Sequence, residues 1–454
     1  MPSTIAAIST PQGVGGISVI RISGERAVEI ADRVFRSRGG KKLGEIPGYT
    51  ALYGDVFDGE TKIDEAVALK FCAPHSYTGE DVVELSCHGG LFVTRRLLRA
   101  VLNAGASASQ AGEFTKRAYL NGKLSLDQAE AVMDIISARG ESQAKAALFA
   151  REGALSGKIQ EINRPLLLAA AALSAWVDYP DEDIPDMPVE QLAQIIKEAI
   201  TQAERLLGGF DRGRILRDGA YTVIAGSPNV GKSTLMNLLA GCERSIVTAV
   251  PGTTRDVVEE TVDLNGILLR LSDTAGLRKT EDEVESIGIA RTKRALSEAE
   301  LVIAVFDASR ELSGQDMSLL REIKSNRCVA VINKTDLPCR LDESLIRQNI
   351  QNVICVSALR GQGIDGLRRA IENVLGLSDF DPAAAQLFGE RQYNCVSRAK
   401  ESLTAAEQAL RQGFTYDAVA IELDEAIGAL LELTGERVTD KVVDEIFANF
   451  CVGK

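Results

Sequence analysis

The amino-acid sequence predicts a multidomain protein, α/β plus all-α, and three observations carry that expectation. Its 454 residues are too many for one hydrophobic core, so roughly two to four domains are expected. Strand and helix patterns alternate over the first ~120 residues; alanine-rich helical spacing then takes over and returns after Asp381. Between those helical stretches, 226–233 read Gly-Ser-Pro-Asn-Val-Gly-Lys-Ser directly after the apolar run 221–225, the pattern of a phosphate-binding loop between a buried strand and a helix. The expected organisation is an N-terminal α/β domain over 1–120, a discontinuous helical domain over 121–216 and 380–454, and a P-loop domain over 217–379 inserted between its halves. The ends of a domain often lie close together, which makes such an insertion sterically easy.

In the first domain, 5–9, 17–22, 50–57, 66–71 and 82–86 are strand-like, and 25–35 and 91–103 are helical. From Ser125 onward Leu126, Ala129, Met133 and Ile136 recur at helical spacing, and amphipathic helices run to about residue 176. The acidic stretch Asp178-Tyr179-Pro180-Asp181-Glu182-Asp183-Ile184-Pro185 reads either as an exposed loop or as a cation site, and the loop is the plainer of the two. Another helix is expected over roughly 188–213. In the P-loop domain, 258–264 and 267–272 flank Asn265-Gly266, a strong hairpin signal. That places one antiparallel strand beside parallel strands at 221–225, 301–307, 328–333 and 353–357. Helices return at about 384–412 and 415–434.

Bulk properties narrow the class. Hydrophobic content of 45% and charged content of 25% are those of a soluble globular protein. No apolar stretch reaches about 18 residues and no basic-then-apolar leader opens the chain, so the expected setting is cytoplasmic, without a membrane. The eight cysteines are scattered with no Cys-x-x-Cys pair, which argues for reduced thiols and against a structural zinc. The net charge of −13 argues against a simple polyanion binder. Residues 1–123, however, hold 15 Lys/Arg against 13 Asp/Glu, a net of +2, and the rest of the chain holds 36 against 51, a net of −15. If nucleic acid binds, the N-terminal third is the better contributor, unless another subunit supplies the positive surface.

The phosphate loop has a mechanism. Gly226 and Gly231 let the backbone curl so that successive N–H groups face phosphate oxygens. Asn229, Val230, Gly231, Lys232, Ser233 and Thr234 are the expected contacts; Lys232 brings a point charge to the β- and γ-phosphates, and the Ser233 hydroxyl can ligate Mg²⁺. Asp273-Thr274-Ala275-Gly276 ends a strand, so that Asp273 can hold Mg²⁺ through water. Asn333-Lys334-Thr335-Asp336 ends another, and the Asp336 carboxylate can accept both guanine N1–H and N2–H, which adenine cannot offer together. Ser357-Ala358 closes a third, where a backbone N–H can reach guanine O6. These signatures, in this order, imply a GTP site on the sheet of a Ras-like GTPase.

Three features qualify that picture. Many GTPases place Gln directly after Asp-Thr-Ala-Gly to orient the attacking water, and here the residue is Leu277. Either hydrolysis is poor or another residue positions water; Glu281, Asp282, Glu283 and Glu285 are the nearby candidates. Asn229 either shapes the turn or offers an amide oxygen that, with carbonyls of the loop 245–253, cages a monovalent cation in the manner of an arginine finger. Gly252-Thr253-Thr254-Arg255-Asp256 occupies the place of switch I, where a Thr hydroxyl completes Mg²⁺ coordination.

Over its whole length the chain closely resembles the MnmE (TrmE) family of GTPases. The resemblance rests on the motifs above and on the downstream Asp282-Glu283-Val284-Glu285-Ser286-Ile287-Gly288. It rests also on Ser18-Val19-Ile20-Arg21-Ile22-Ser23-Gly24, Thr78-Gly79-Glu80-Asp81-Val82-Val83-Glu84-Leu85 and Gly112-Glu113-Phe114-Thr115-Lys116-Arg117-Ala118. Cys451-Val452-Gly453-Lys454 matches the family's Cys-x-Gly-Lys ending, with Val452 where Ile or Leu is usual. The resemblance implies an N-terminal domain that binds a tetrahydrofolate, in its 5-formyl or 5,10-methylene form, and mediates homodimerisation. It implies K⁺-stimulated GTP hydrolysis when two GTPase domains meet across the dimer. It further implies work with the FAD-containing MnmG, as a heterotetramer, to add a carboxymethylaminomethyl-type group to C5 of the wobble uridine of certain tRNAs, with the one-carbon unit taken from folate. By position, Asn229, Thr248, Val250 and Thr253 would surround K⁺, and Ser233 and Thr254 would hold Mg²⁺. Ala249, Pro251 and Gly252 complete the implied nucleotide contacts, and Glu285, with Lys232 and Asn229, completes the catalytic set by orienting water through a bridging water. Arg21, Glu84, Lys123 and Lys454 would line the folate site: a carboxylate suits the pterin edge, and cations suit the glutamyl carboxylates. Cys451 is either a nucleophile near the folate or a small buried residue, and the latter is favoured because no base neighbours it in sequence.

The competing reading is a regulatory or ribosome-assembly GTPase of the Era or Der type. Those proteins follow the first GTPase domain with a second one or with an RNA-binding domain, whereas this sequence shows a folate-type domain in front. Binding of a reduced folate discriminates the two.

Overall fold

A computed structural model describes residues 3–178, 188–241, 260–264, 266–273, 294–323, 327–378 and 380–454. The chain divides into two compact units, Met1–Met133 with Ile427–Lys454, and Asp134–Ala426.

The first unit is built on a seven-stranded sheet in the order β3-β4-β5-β6-β2-β1-β7. Its strands are β1 Ile5–Ile8, β2 Ile17–Ser23, β3 Phe35–Ser37, β4 Thr50–Asp58, β5 Thr61–Phe71, β6 Val82–His88 and β7 Ser107–Ala108. Neighbours run antiparallel except β1 and β7, which run parallel. Helix α1 (Ala27–Val34) buries Ala27, Ile30, Ala31 and Val34, a single face at helical spacing. Helix α2 (Leu91–Asn103) buries Thr94, Leu97, Ala100 and Val101. Both close one core with the inward side chains of the sheet, among them Ile20, Ile22, Val83 and Leu85. At the edge of that core the Lys70 ammonium is buried and donates to the carbonyls of Leu43 (3.0 Å) and Ile46 (2.8 Å), which offsets its desolvation.

A smaller cluster joins the front of the chain to residues far along it. Helices α3 (Glu113–Leu120) and α4 (Leu126–Ser137) begin the helical stretch. Leu126 and Ala129 pack with Val443, Phe447 and Phe450. Gly112, at φ +64°, permits this approach, because a Cβ there would lie 2.7 Å from the Phe447 carbonyl oxygen.

In the second unit, helices α5 (Glu141–Arg151), α6 (Ala154–Asp178) and α7 (Val189–Asp218) precede the P-loop sheet. That sheet has the order β13-β12-β11-β8-β10-β9. Its strands are β8 Ala220–Ala225, β9 Glu260–Asp263, β10 Leu268–Asp273, β11 Leu301–Asp307, β12 Cys328–Asn333 and β13 Asn352–Cys355. Only the β9–β10 pair is antiparallel, the Ras-like arrangement expected from the sequence. Strands β11 and β12 are buried throughout, as strands covered on both faces must be. Helix α8 (Lys232–Gly241) follows the phosphate loop; α9 (Gly314–Glu322), α10 (Ser344–Asn349) and α11 (Ile364–Leu375) alternate with the later strands. Helix α12 (Glu390–Arg411) packs on α7, with the Phe210 and Tyr393 rings 4.5 Å apart at their centroids.

Several expectations shift. Strand β5 starts at Thr61, ahead of the expected 66; of its first five residues only Ile63 is apolar, so they carry no apolar alternation. Helix α7 runs on to Asp218, and α12 begins only at Glu390, after Gly389. Helices α13 (Tyr416–Thr434) and α14 (Asp440–Ala448) end the described secondary structure, and α14 had no expectation. The acidic stretch at 178–185 lies outside the residues described in full. Among the described residues no helix is long and apolar enough to cross a membrane, and none forms a group of three metal-capable side chains.

Candidate functional site

The residues expected to hold the nucleotide gather where the parallel strands end. Asp273 closes β10 opposite Ile224 of β8, and Asn333 closes β12 opposite Asp307 of β11. Residues 226–231 link β8 to α8. Asn229 and Gly231 both take left-handed backbone, at φ +63° and φ +96°. At Gly231 this is obligatory: a Cβ would run into the Asn333 side-chain amide. Val230 is fully buried, and Ser233 and Thr234 are exposed in the first turn of α8. The Lys232 ammonium donates to the carbonyls of Gly226 and Ser227, each at 2.9 Å.

Hydrogen bonds tie the phosphate loop to the loops expected to hold the base. Asn333 Nδ2 donates to the Val230 carbonyl at 2.9 Å, and Asn333 Oδ1 accepts from the Ala358 N–H at 3.0 Å. Lys334 Nζ donates to the Asn229 carbonyl at 2.7 Å and to Asp307 Oδ2 at 2.6 Å. Burial pushes the Asp307 carboxyl up, but hydrogen bonds from Lys334 and Ser309 outweigh it, and the net direction is down. Asp307 is therefore the anion that fixes Lys334. On the other side, the buried Asp316 accepts from Ser227 Oγ at 2.6 Å, which anchors the start of the loop.

Asp336 accepts from Ser357 Oγ at 2.6 Å, and that bond holds its carboxyl below the usual range. Of the Ser357-Ala358 pair, expected to offer a backbone N–H to guanine O6, the Ala358 N–H is engaged by Asn333 in this structure. Thr248, Ala249, Val250, Pro251, Gly252, Thr253, Thr254, Thr274, Ala275, Gly276, Leu277, Glu281, Asp282, Glu283 and Glu285 lie outside the described residues.

A second cluster lies in the first unit. Arg21 of β2 and Glu84 of β6 are register partners, and Arg21 Nε donates to Glu84 Oε1 at 2.9 Å. The guanidinium sits 5.3 Å from the centroid of the Tyr77 ring and 5.6 Å from that of Phe114. Arg21 Nη1 is buried and has no hydrogen-bond partner among the described residues. The Phe114 N–H donates to the Lys454 carbonyl at 3.2 Å, and Val452 bridges Ala111 in antiparallel fashion. Residues 451–454 thus lie beside the ring that underlies Arg21. Lys123 Nζ donates to the Pro74 carbonyl at 3.0 Å, in the loop that leads to Tyr77. Cys451 is exposed, which removes the buried reading of this residue; Phe450 takes the apolar slot beside Phe447 instead.

Sequence reasoning overlooked Asp307, Asp316, Tyr77 and the Phe114 ring as site-shaping groups. Asp307 was findable as a carboxylate that ends an apolar run, and Asp316 as the last residue of a Ser-x-x-Asp capping box. The Phe114 ring carried no signal beyond its place in a quoted motif, and Tyr77 stands one residue ahead of another.

Parallel strands that end in a glycine loop braced by Asn333 and Lys334 define a P-loop GTPase of Ras-like fold. The family model of the MnmE helical domain matches residues 126–451, and that of the GTP-binding protein TrmE N-terminus matches residues 4–123. The chain belongs to the MnmE family of tRNA modification GTPases. It is 42% identical over 459 residues to the tRNA modification GTPase MnmE of Alkaliphilus metalliredigens, covering 100% of both chains. It is 44% identical over 455 residues to that of Symbiobacterium thermophilum, covering 99% of each. The G domain of the T. maritima FeoB iron transporter aligns with 34% of this chain and 98% of its own, at 25% identity and a TM-score of 0.27.

Proposed function

We propose that this GTPase couples GTP hydrolysis to the modification of the wobble uridine of certain tRNAs, as a cytoplasmic homodimer working with the FAD protein MnmG and a tetrahydrofolate. The observation that carries the reading is the Arg21 site. A buried guanidinium nitrogen with no partner among the described residues, beside a carboxylate and over two aromatic rings, suits a flat heterocycle with a polar edge. Glu84 accepts from the N–H groups of a pterin, and Lys123 and Lys454 hold the glutamyl carboxylates. Bound folate supplies the one-carbon unit, and these residues orient it.

At the nucleotide site, Lys232 leaves its loop carbonyls for the β- and γ-phosphates, and Asp336 reads the guanine edge. Asn229 is exposed and its carbonyl is taken by Lys334, so the side-chain amide oxygen is the group it offers a cation. Asn229 with Thr248, Val250 and Thr253 would hold K⁺, which spreads transition-state charge, and Ser233 with Thr254 would hold Mg²⁺. Glu285 orients the attacking water in place of the missing glutamine.

The test has two arms. Purified chain is titrated with 5-formyl-tetrahydrofolate, and wobble nucleosides are profiled in tRNA from cells that lack the chain. Saturable folate binding and loss of the aminomethyl-type nucleoside are expected. A chain that binds no folate and leaves the profile unchanged is an assembly GTPase, and the reading fails.

A further inference from the structure

Helix α2 carries an unusual outer face. Phe92, Arg95, Arg96 and Arg99 follow one another at i, i+3, i+4 and i+7, so they share one side of the helix, opposite the buried Leu97, Ala100 and Val101. With Leu91 and Asp58 they line a groove of about 540 Å³. Phe92 is 77% exposed, far more than a core-type ring ordinarily is in a folded domain.

The arginines are what set the groove apart. Among residues 1–123, Arg21, Arg26, Arg33, Arg36, Arg38 and Arg117 each face a carboxylate within ion-pair reach. Arg96 lies 3.6 Å from Asp58, so that pair is locally neutral. Arg95 and Arg99 have no acidic partner among the described residues, and one helical turn separates them, about 6 Å along the axis. Two unneutralised guanidinium groups in a row beside a bare aromatic ring are the components of a single-stranded nucleic-acid platform: charge tracks the backbone and a base stacks on the ring. They also belong to the part of the chain with net charge +2, in a protein whose remainder carries −15.

We infer that the α2 face is an RNA-docking surface that takes an unpaired stretch of the tRNA, Arg95 and Arg99 on successive phosphates and one base on Phe92. The inference rests on the tRNA reading above and adds the place of contact. Asp58 neutralises Arg96 at the end of β4, so the unpaired charge of the groove rests on Arg95 and Arg99.

The experiment uses the full chain and a fluorescently labelled tRNA, with affinity measured by anisotropy over a series of KCl concentrations. Arg95→Ala/Arg99→Ala is expected to weaken binding at least tenfold and to lower the slope of log K against log salt by about 1.4, the contribution of two single-strand phosphate contacts. Phe92→Ala is expected to weaken binding at least fivefold and leave the slope unchanged. Both variants should melt with the wild type and hydrolyse GTP at its rate, since these side chains are exposed and outside the nucleotide site. Wild-type chain that binds no tRNA defeats the α2 assignment, and an unchanged wobble-nucleoside profile in cells that lack the chain defeats the tRNA reading itself. Wild-type binding with both variants unaltered defeats the α2 assignment alone. Variants that keep tRNA but lose a protein partner or the dimer also defeat it, and assign the face to protein instead.

Discussion

Asn333 and Lys334 commit their side chains to the protein. Through Val230, Asn229, Ala358 and Asp307 they make one braced piece of the phosphate loop and the loops expected to hold the base. In the proposed base site, Asp336 is then the carboxylate left to read the guanine edge. Asp336→Asn should weaken GTP binding by about 100-fold or more, since a site built to pair N–H groups loses heavily when the pairing fails, and should favour xanthosine nucleotides. Competition titrations of GTP against XTP decide it, and unchanged GTP affinity removes Asp336 from the base site. Gly231→Ala forces a Cβ into Asn333 at a left-handed position. It should cost roughly 1–3 kcal/mol of stability and most of the GTP affinity, read by thermal melts and nucleotide titration. Glu285→Ala should slow hydrolysis about 100-fold with affinity nearly intact, because a water-orienting group acts in the transition state. Normal turnover in single-turnover assays would move that role to Glu281, Asp282 or Glu283. The backbone-based part of this site was legible in the sequence, because glycine and lysine spacing reports loop geometry directly. Asp307 and Asp316 left only local traces, the end of an apolar run and a capping-box spacing, and neither trace says which side chain the carboxylate braces.

Among the elements, the stretch 451–454 matters most for its size. Gly112 N–H donates to the Cys451 carbonyl, Val452 bridges Ala111, and the Lys454 carbonyl accepts from Phe114. Deleting 451–454 should weaken 5-formyl-tetrahydrofolate binding while K⁺-stimulated GTP hydrolysis continues at nearly its full rate. Calorimetric titration of the shortened chain tests this, and unchanged folate affinity would leave the stretch a purely structural strap. The major elements were legible where apolar periodicity was long: α1, α2, the P-loop strands and the long helices. Strands β3 and β7 span three and two residues, too few for any period to show. Helix α14 escaped notice for another reason: its buried Val443 and Phe447 acquire meaning only against Leu126 and Ala129, hundreds of positions earlier.

For the whole molecule, the proposed cation cage makes a bulk prediction. Hydrolysis in KCl should exceed that in matched NaCl, because a cage of neutral oxygens suits the larger, more weakly hydrated ion. Equal rates would return Asn229 to the role of a turn residue. A different consequence follows from the way the first unit is assembled from Met1–Met133 and Ile427–Lys454. A ribosome delivers those two pieces with the whole of 134–426 in between, which at about 5–20 residues/s is a wait of roughly 15–60 s. During that interval the nascent N-terminal sheet has no Phe447 or Phe450 to cover Leu126 and Ala129, and chaperones have time to engage the exposed patch. A message broken anywhere past the GTPase segment would then yield a chain in which Leu126 and Ala129 stay uncovered for good, a standing target for chaperones and proteases.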